Sequence, residues 1–121
     1  MAGKVVHIEI KAADNDRCVS FYRDLFGWEF GGAAMPDMDY RMARLGEEMG
    51  VASYPSDEPG SGYIVYMDTD DIDASVAKVR QLGGEASDKM PIPQTGWFSH
   101  CKDTEGNVFG LFQSDESATA G

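Results

Sequence analysis

The stretch Asp14-Asn15-Asp16-Arg17-Cys18-Val19-Ser20-Phe21-Tyr22-Arg23-Asp24-Leu25-Phe26-Gly27-Trp28 decides how this chain folds. Cys18, Phe21, Tyr22, Leu25 and Phe26 recur at helical spacing. Asp14 or Asp16 supplies a capping oxygen, and Gly27 stands where a helix ends in the left-handed region. The stretch is an amphipathic helix with both stops written in. Before it, Lys4 to Ile10 alternates, with Val6, Ile8 and Ile10 on one face and Val5, His7 and Glu9 on the other, the period of a strand. His7 and Glu9 therefore point the same way. After it, Trp28 to Phe30 restarts as a strand, residues 31–36 (GGAAMP) form a loop, and Tyr40–Leu45 with Gly50–Tyr54 form a hairpin turning at Gly46 to Glu48.

Beyond a polar linker at residues 56–62 the same order returns. Tyr63 to Asp68 is an apolar strand, Asp71 or Asp73 caps a helix carrying Ile72, Val76, Val79 and Leu82, and Gly83-Gly84 stops it. Glu85 to Ala86 starts a short strand, Met90 to Gly96 is a loop, and Trp97–Lys102 with Asn107–Gln113 flank the turn Asp103-Thr104-Glu105-Gly106. A shift of 57 places Asp14 on Asp71, Leu25 on Leu82, Gly27 on Gly84 and Val51 on Val108, while the opening strand matches at 56, His7 on Tyr63. The expected architecture is α+β, one domain over 1–121 made of two tandem βαβββ modules, 4–55 and 63–113, with a flexible tail at 114–121.

Composition narrows the function. A net charge of -11 with no basic stripe repels phosphate backbones, so nucleic acid is excluded as a partner. Mean hydropathy of -0.36 and the lack of a long apolar run exclude a membrane span and a secretory signal, which points to the cytoplasm. Cys18 and Cys101 lack metal-type spacing and read as small buried residues of a reducing compartment. Gly31-Gly32 and Gly83-Gly84 lack the spacing of a nucleotide fingerprint.

Three pieces, His7 in the opening strand, Phe21-Tyr22-Arg23-Asp24-Leu25-Phe26-Gly27-Trp28 and Asp103-Thr104-Glu105-Gly106-Asn107, resemble the vicinal oxygen chelate superfamily of glyoxalases, bleomycin resistance proteins and extradiol dioxygenases. The resemblance implies an incompletely closed, barrel-like mixed sheet with helices outside, and a homodimer paired through its sheets. It also implies, for the metal enzymes, a divalent ion held by His and Glu from the first and last strand of each module. Carried over by position, that quartet falls on His7, Ser53, Tyr63 and Gly110, of which only His7 is a competent ligand.

The expected chemistry is therefore a small organic ligand bound in the barrel cavity with no standard metal. Strand parity puts Tyr63, Val65 and Met67 on the inner face with His7, and places Phe98, His100, Val108 and Phe112 there too. Tyr40, Ser53, Tyr63, Trp97, Phe98 and Phe112 are the expected ligand contacts, and His7, Glu9 and His100 the candidate catalytic groups. The alternative is a lyase, isomerase or dioxygenase that uses His7, Glu9 and His100 as a displaced site for Zn, Ni, Mn or Fe. A further alternative is a structural subunit with a vestigial cavity.

Overall fold

A computed structural model of the chain describes residues 3–32 and 38–119. Among them are eight strands and two helices in the order β1 (Val5–Ala12), α1 (Asn15–Phe26), β2 (Arg41–Arg44), β3 (Gly50–Pro55), β4 (Ile64–Asp68), α2 (Ile72–Gln81), β5 (Glu85–Ala86), β6 (Met90–Ile92), β7 (Gly96–Lys102) and β8 (Val108–Ser114). The fold is α+β. Two compact units divide the described residues: Val6–Ile64, and residues 3–5 together with 65–119.

In the unit Val6–Ile64, β3 lies between β2 and β1, antiparallel to the first and parallel to the second. Asp14 caps α1 by accepting from the Arg17 N–H at 3.0 Å, and Gly27 ends it at φ 76° with its N–H on the Arg23 carbonyl. Ile10, Ala43 and Val51 form the buried core, joined by Ile8, Cys18, Tyr22, Trp28 and Phe30. Burying an aliphatic side chain of this size contributes roughly 1.5–3 kcal/mol. The strand expected at Trp28 to Phe30 is not one: Trp28 stacks on Tyr22 at 5.3 Å, and the Gly31 N–H reaches β2 at the Met42 carbonyl. Ring packing fixes this segment where a ladder was expected. Residues 33–36 of the expected loop lie outside the described residues.

In the other unit, β8 lies between β4 and β7, parallel to β4 and antiparallel to β7, and β5 and β6 pair with successive stretches of β7. Asp71 caps α2 through the Ala74 N–H. Ile72, Val76, Cys101 and Leu111 form the core, with Val79, Ala86, Trp97 and Phe109 against it. Met90 to Ile92 was expected as loop and is β6. Its pairing with Gly96 to Phe98 accepts a proline at position 91 because a three-residue edge strand leaves few ladder bonds to lose. The tail expected to fray is instead held as far as Ala118, which is fully buried and whose backbone bonds to Gln94 and Asp115. Cys18 and Cys101 form no disulfide.

Among the described residues each half opens with a strand and a helix, then continues with two strands in the first half and four in the second, in place of the expected three in each, and the offset between matching positions moves. Ile8 and its partner Val51 face the core of one unit, and Val65 and its partner Phe109 that of the other, so by the faces they present the opening strands match at 57 and the closing strands at 58. The left-handed glycines after the helices are Gly27 and Gly83, an offset of 56. An even shift such as the expected 56 would set core-facing Ile8 on Ile64 beside core-facing Val65, so facing puts His7 with Ile64 instead of Tyr63.

Candidate functional site

In the unit Val6–Ile64 the face of the sheet away from α1 carries His7 and Glu9 from β1 and, by register, Gly50, Ala52 and Tyr54 from β3. Tyr40, buried just before β2, reaches between the two acid–base side chains. Its hydroxyl donates to Glu9 Oε2 at 2.8 Å and lies 2.6 Å from His7 Nε2. A carboxylate can only accept, so the phenol proton goes to Glu9 and the phenol oxygen accepts from His7 Nε2–H. This assigns the imidazole its tautomer and puts its lone pair on Nδ1. Burial lowers the His7 pKa to about 4, which keeps the ring neutral at physiological pH.

The rings of His7 and Tyr40 stack at 6.2 Å, and Tyr54 lies 6.0 Å from Tyr40. Burial raises the Tyr54 pKa, and the charge of Glu9, then that of Glu58, raises it further. Asn15, the first residue of α1, holds this arrangement from below. Its Nδ2 donates to the Asp39 carbonyl at 2.8 Å, next to Tyr40, and its Oδ1 accepts from Ser53 Oγ at 2.5 Å.

In the other unit, register places Tyr66, His100 and Gly110 side by side on one face. The Tyr66 hydroxyl is 2.9 Å from His100 Nε2, and Phe98 lies 5.3 Å from the His100 ring with Phe112 as its cross-strand partner. A Cβ on Gly110 would overlap the Tyr66 ring. An open depression of about 280 Å³ reaches His100 between Glu85, Ser87, Lys102 and Val108.

Several expected contacts stand elsewhere. Ser53 pairs with Ile10 in β1, so it faces α1, fully buried on Asn15, and not the His7 side. Tyr63 precedes β4, is 60% exposed and shares a 2.8 Å hydrogen bond with Tyr22, whose pKa is pushed up to about 12 by burial and then by that bond. Val65 and Met67 pair with Phe109 and Leu111 and face the core, so the inner face of β4 is carried by Ile64 and Tyr66. Trp97 packs against the α2 core, donates to Asp115 Oδ2 at 3.0 Å and lies under Lys89 Nζ at 4.6 Å. Tyr54 and Tyr66 were missed by sequence reasoning. Applying the shift of 57 to the opening strand would have found Tyr66 opposite Glu9.

The metal quartet implied by the resemblance does not fit these residues. On the His7 face the closing strand offers Gly50 and Ala52, and on the Gly110 face the opening strand offers Tyr66. None of these supplies an imidazole or carboxylate. Among the described residues no three His, Cys, Asp or Glu side chains converge on a common point.

The family model for a glyoxalase-like domain matches residues 7–112. The chain belongs to this family. A glyoxylase-like domain-containing protein of Didymella fabae is 31% identical over 118 residues, covering 90% of this chain and 92% of its own. The protein described as "Putative glyoxylase CFP32" of Mycobacterium bovis is also 31% identical, and this glyoxalase-like domain spans 44% of its length. Among solved structures, methylmalonyl-CoA epimerase in complex with methylmalonyl-CoA and NH4+ superposes with a TM-score of 0.74 at 19% identity, covering 97% of this chain and 99% of that one. A glyoxalase/bleomycin resistance protein/dioxygenase superfamily member from Vibrio splendidus gives 0.69 at 21% identity, covering 94% and 100%. At such identities the likeness is one of fold, and the fold is that of the glyoxalase/bleomycin resistance/dioxygenase group.

Proposed function

We propose that this glyoxalase-like domain binds a small amphipathic organic molecule on the face that carries His7, Glu9 and Tyr40, without the metal quartet of its superfamily. The hydrogen-bonded chain from His7 through Tyr40 to Glu9 carries the reading. It holds a neutral imidazole in one orientation beside the aromatic planes of Tyr40 and Tyr54. A few oriented polar groups among aromatic walls are the usual makeup of a small-molecule site. The epimerase neighbour binds a coenzyme A thioester. Here the net charge of -11 disfavours so anionic a ligand and favours a neutral or cationic one. The unbridged cysteines suit a reducing, cytoplasmic setting.

A thermal-shift screen of neutral and cationic aromatic compounds, followed by titration calorimetry on the hits, tests the reading. Binding that falls about tenfold or more in Tyr40→Phe supports it, since a polar group is left without its partner. Hits indifferent to both Tyr40→Phe and His7→Ala would overturn it. Recovery of the ligand chemically unchanged distinguishes binding from turnover. A stabilising shift on adding Zn²⁺, Ni²⁺, Mn²⁺ or Fe²⁺ that His7→Ala abolishes would show a metal site on this face and sink the metal-free reading.

A further inference from the structure

We propose that the depression beside His100 is a second binding site, built for a small zwitterion, an α-amino acid with an apolar side chain. It uses none of the residues of the His7 face and stands whether or not that reading does. Strand register sets its walls. Glu85 of β5 and Val108 of β8 are the two cross-strand partners of Lys102 in β7, so the three side chains stand in one row on one face. His100 lies two residues back along β7 and shares that face. Ala86 and Cys101 also line the depression, but their side chains pack in the α2 core, so they give it a floor of backbone.

One wall is fixed. The Ser87 hydroxyl accepts from the His100 backbone N–H at 3.0 Å, and the Tyr66 hydroxyl lies 2.9 Å from His100 Nε2 and orients the ring. The rim is charged. Opposite charges directly across an antiparallel pair ordinarily attract each other. Yet among the described residues neither Glu85 nor Lys102 makes an ion pair, while Arg80 and Lys89 of the same unit reach Asp88 and Asp73 at 3.1 and 2.9 Å. Glu85 and Lys102 stand as two exposed, separate charges with the depression of about 280 Å³ at their feet.

That arrangement selects by charge. A lone carboxylate drawn to Lys102 meets Glu85 and a net charge of -11, and a lone ammonium drawn to Glu85 meets Lys102. A molecule that carries both groups on one carbon offers each rim charge its complement and brings no net charge. Its ammonium pairs with Glu85, its carboxylate with Lys102, and its side chain lies against Val108 and the His100 ring. The volume is at the small end of ligand sites, which suits a molecule the size of one amino acid. Exposed ion pairs are weak, so the affinity expected is about millimolar and falls as salt is added.

Two-dimensional amide NMR of the full chain titrated with L-leucine at low salt tests this. The expected result is a saturable shift of the amides of Glu85, Ser87, His100, Lys102 and Val108. N-acetyl-L-leucine, which lacks the ammonium, and L-leucinamide, which lacks the carboxylate, should each bind about threefold or more weaker. Glu85→Gln and Lys102→Met should each weaken L-leucine by a similar factor, and the two together by about tenfold. Both positions are exposed, and the rest of each variant's spectrum establishes that the fold is intact. No saturable shift, shifts confined to residues outside the depression, equal binding of the two capped leucines, or indifference to Glu85→Gln and Lys102→Met would overturn the proposal.

Discussion

The ring of Tyr66 fills the space in which a side chain on Gly110 would stand, so the two positions cannot both carry bulk. This explains in packing terms why the last strand offers no donor: a carboxylate at Gly110 would have to displace a buried phenol that is hydrogen-bonded to His100. Gly110→Ala is expected to destabilise the chain by about 1–3 kcal/mol through overpacking. Combining it with Tyr66→Ala should return part of that loss, a non-additivity that urea unfolding of the unmodified chain, the two single variants and the double variant would measure.

Gly50 repeats the relationship more loosely, since a Cβ there would meet His7 Nδ1 at 3.2 Å. Gly50→Ala should therefore shift the imidazole by a few tenths of an ångström while leaving the fold standing. NMR of the His7 ring against pH would read the change. A titration curve identical to that of the unmodified chain would show that the ring already has the room.

The depressed pKa of His7 makes stability depend on pH. In the folded chain it lies at about 4, below its ordinary 6.5, so between those values the unfolded chain binds more protons. Stability from this group is complete above pH 6.5 and is lost as pH falls from 6.5 toward 4, by up to about 3 kcal/mol and less in proportion to the ring's residual exposure. His7→Gln should flatten the unfolding free energy across that window. An unchanged slope would place the pH dependence on other groups.

Asn15 is expected to matter more than its place at a helix start suggests. Its side chain bonds Ser53 and the Asp39 carbonyl from a buried position. Asn15→Ala should cost about 1–3 kcal/mol by leaving those partners unsatisfied, and should weaken the hold on Tyr40. Asn15→Asp, which keeps the acceptor for Ser53 but loses the donor, should show a different share of the loss. Unfolding midpoints of both variants would check this.

Truncation after Ser114 would remove Asp115 from Trp97 and Ala118 from its buried site. A chain shortened there should unfold at lower temperature than the full chain. Equal midpoints would mean that the last turn contributes nothing measurable.

The helices, their aspartate caps and the hairpins were legible in the sequence, because each rests on local chemistry: apolar period, an oxygen placed to cap, a glycine at the stop. The faces of the strands were legible only where alternation was clean. In β1, Ile8 and Ile10 against His7 and Glu9 left one choice. At β4, the run Tyr63-Ile64-Val65-Tyr66-Met67 that leads into and along the strand is apolar throughout, so its parity came from an assumed shift and was off by one. The same slip in the closing strand put Ser53 on the wrong side.

By itself, then, the sequence determined the α+β class, the family and the presence of His7 and Glu9 on one strand face, since period-two and 3.6-residue patterns are written residue by residue. Only the tertiary structure decided that Tyr40, 31 residues beyond Glu9, joins His7 and Glu9 into one hydrogen-bonded chain. It alone also decided that Tyr66 occupies the place of a Gly110 side chain. Those relationships depend on strand register and on rings meeting across the sheet, and no local pattern encodes either.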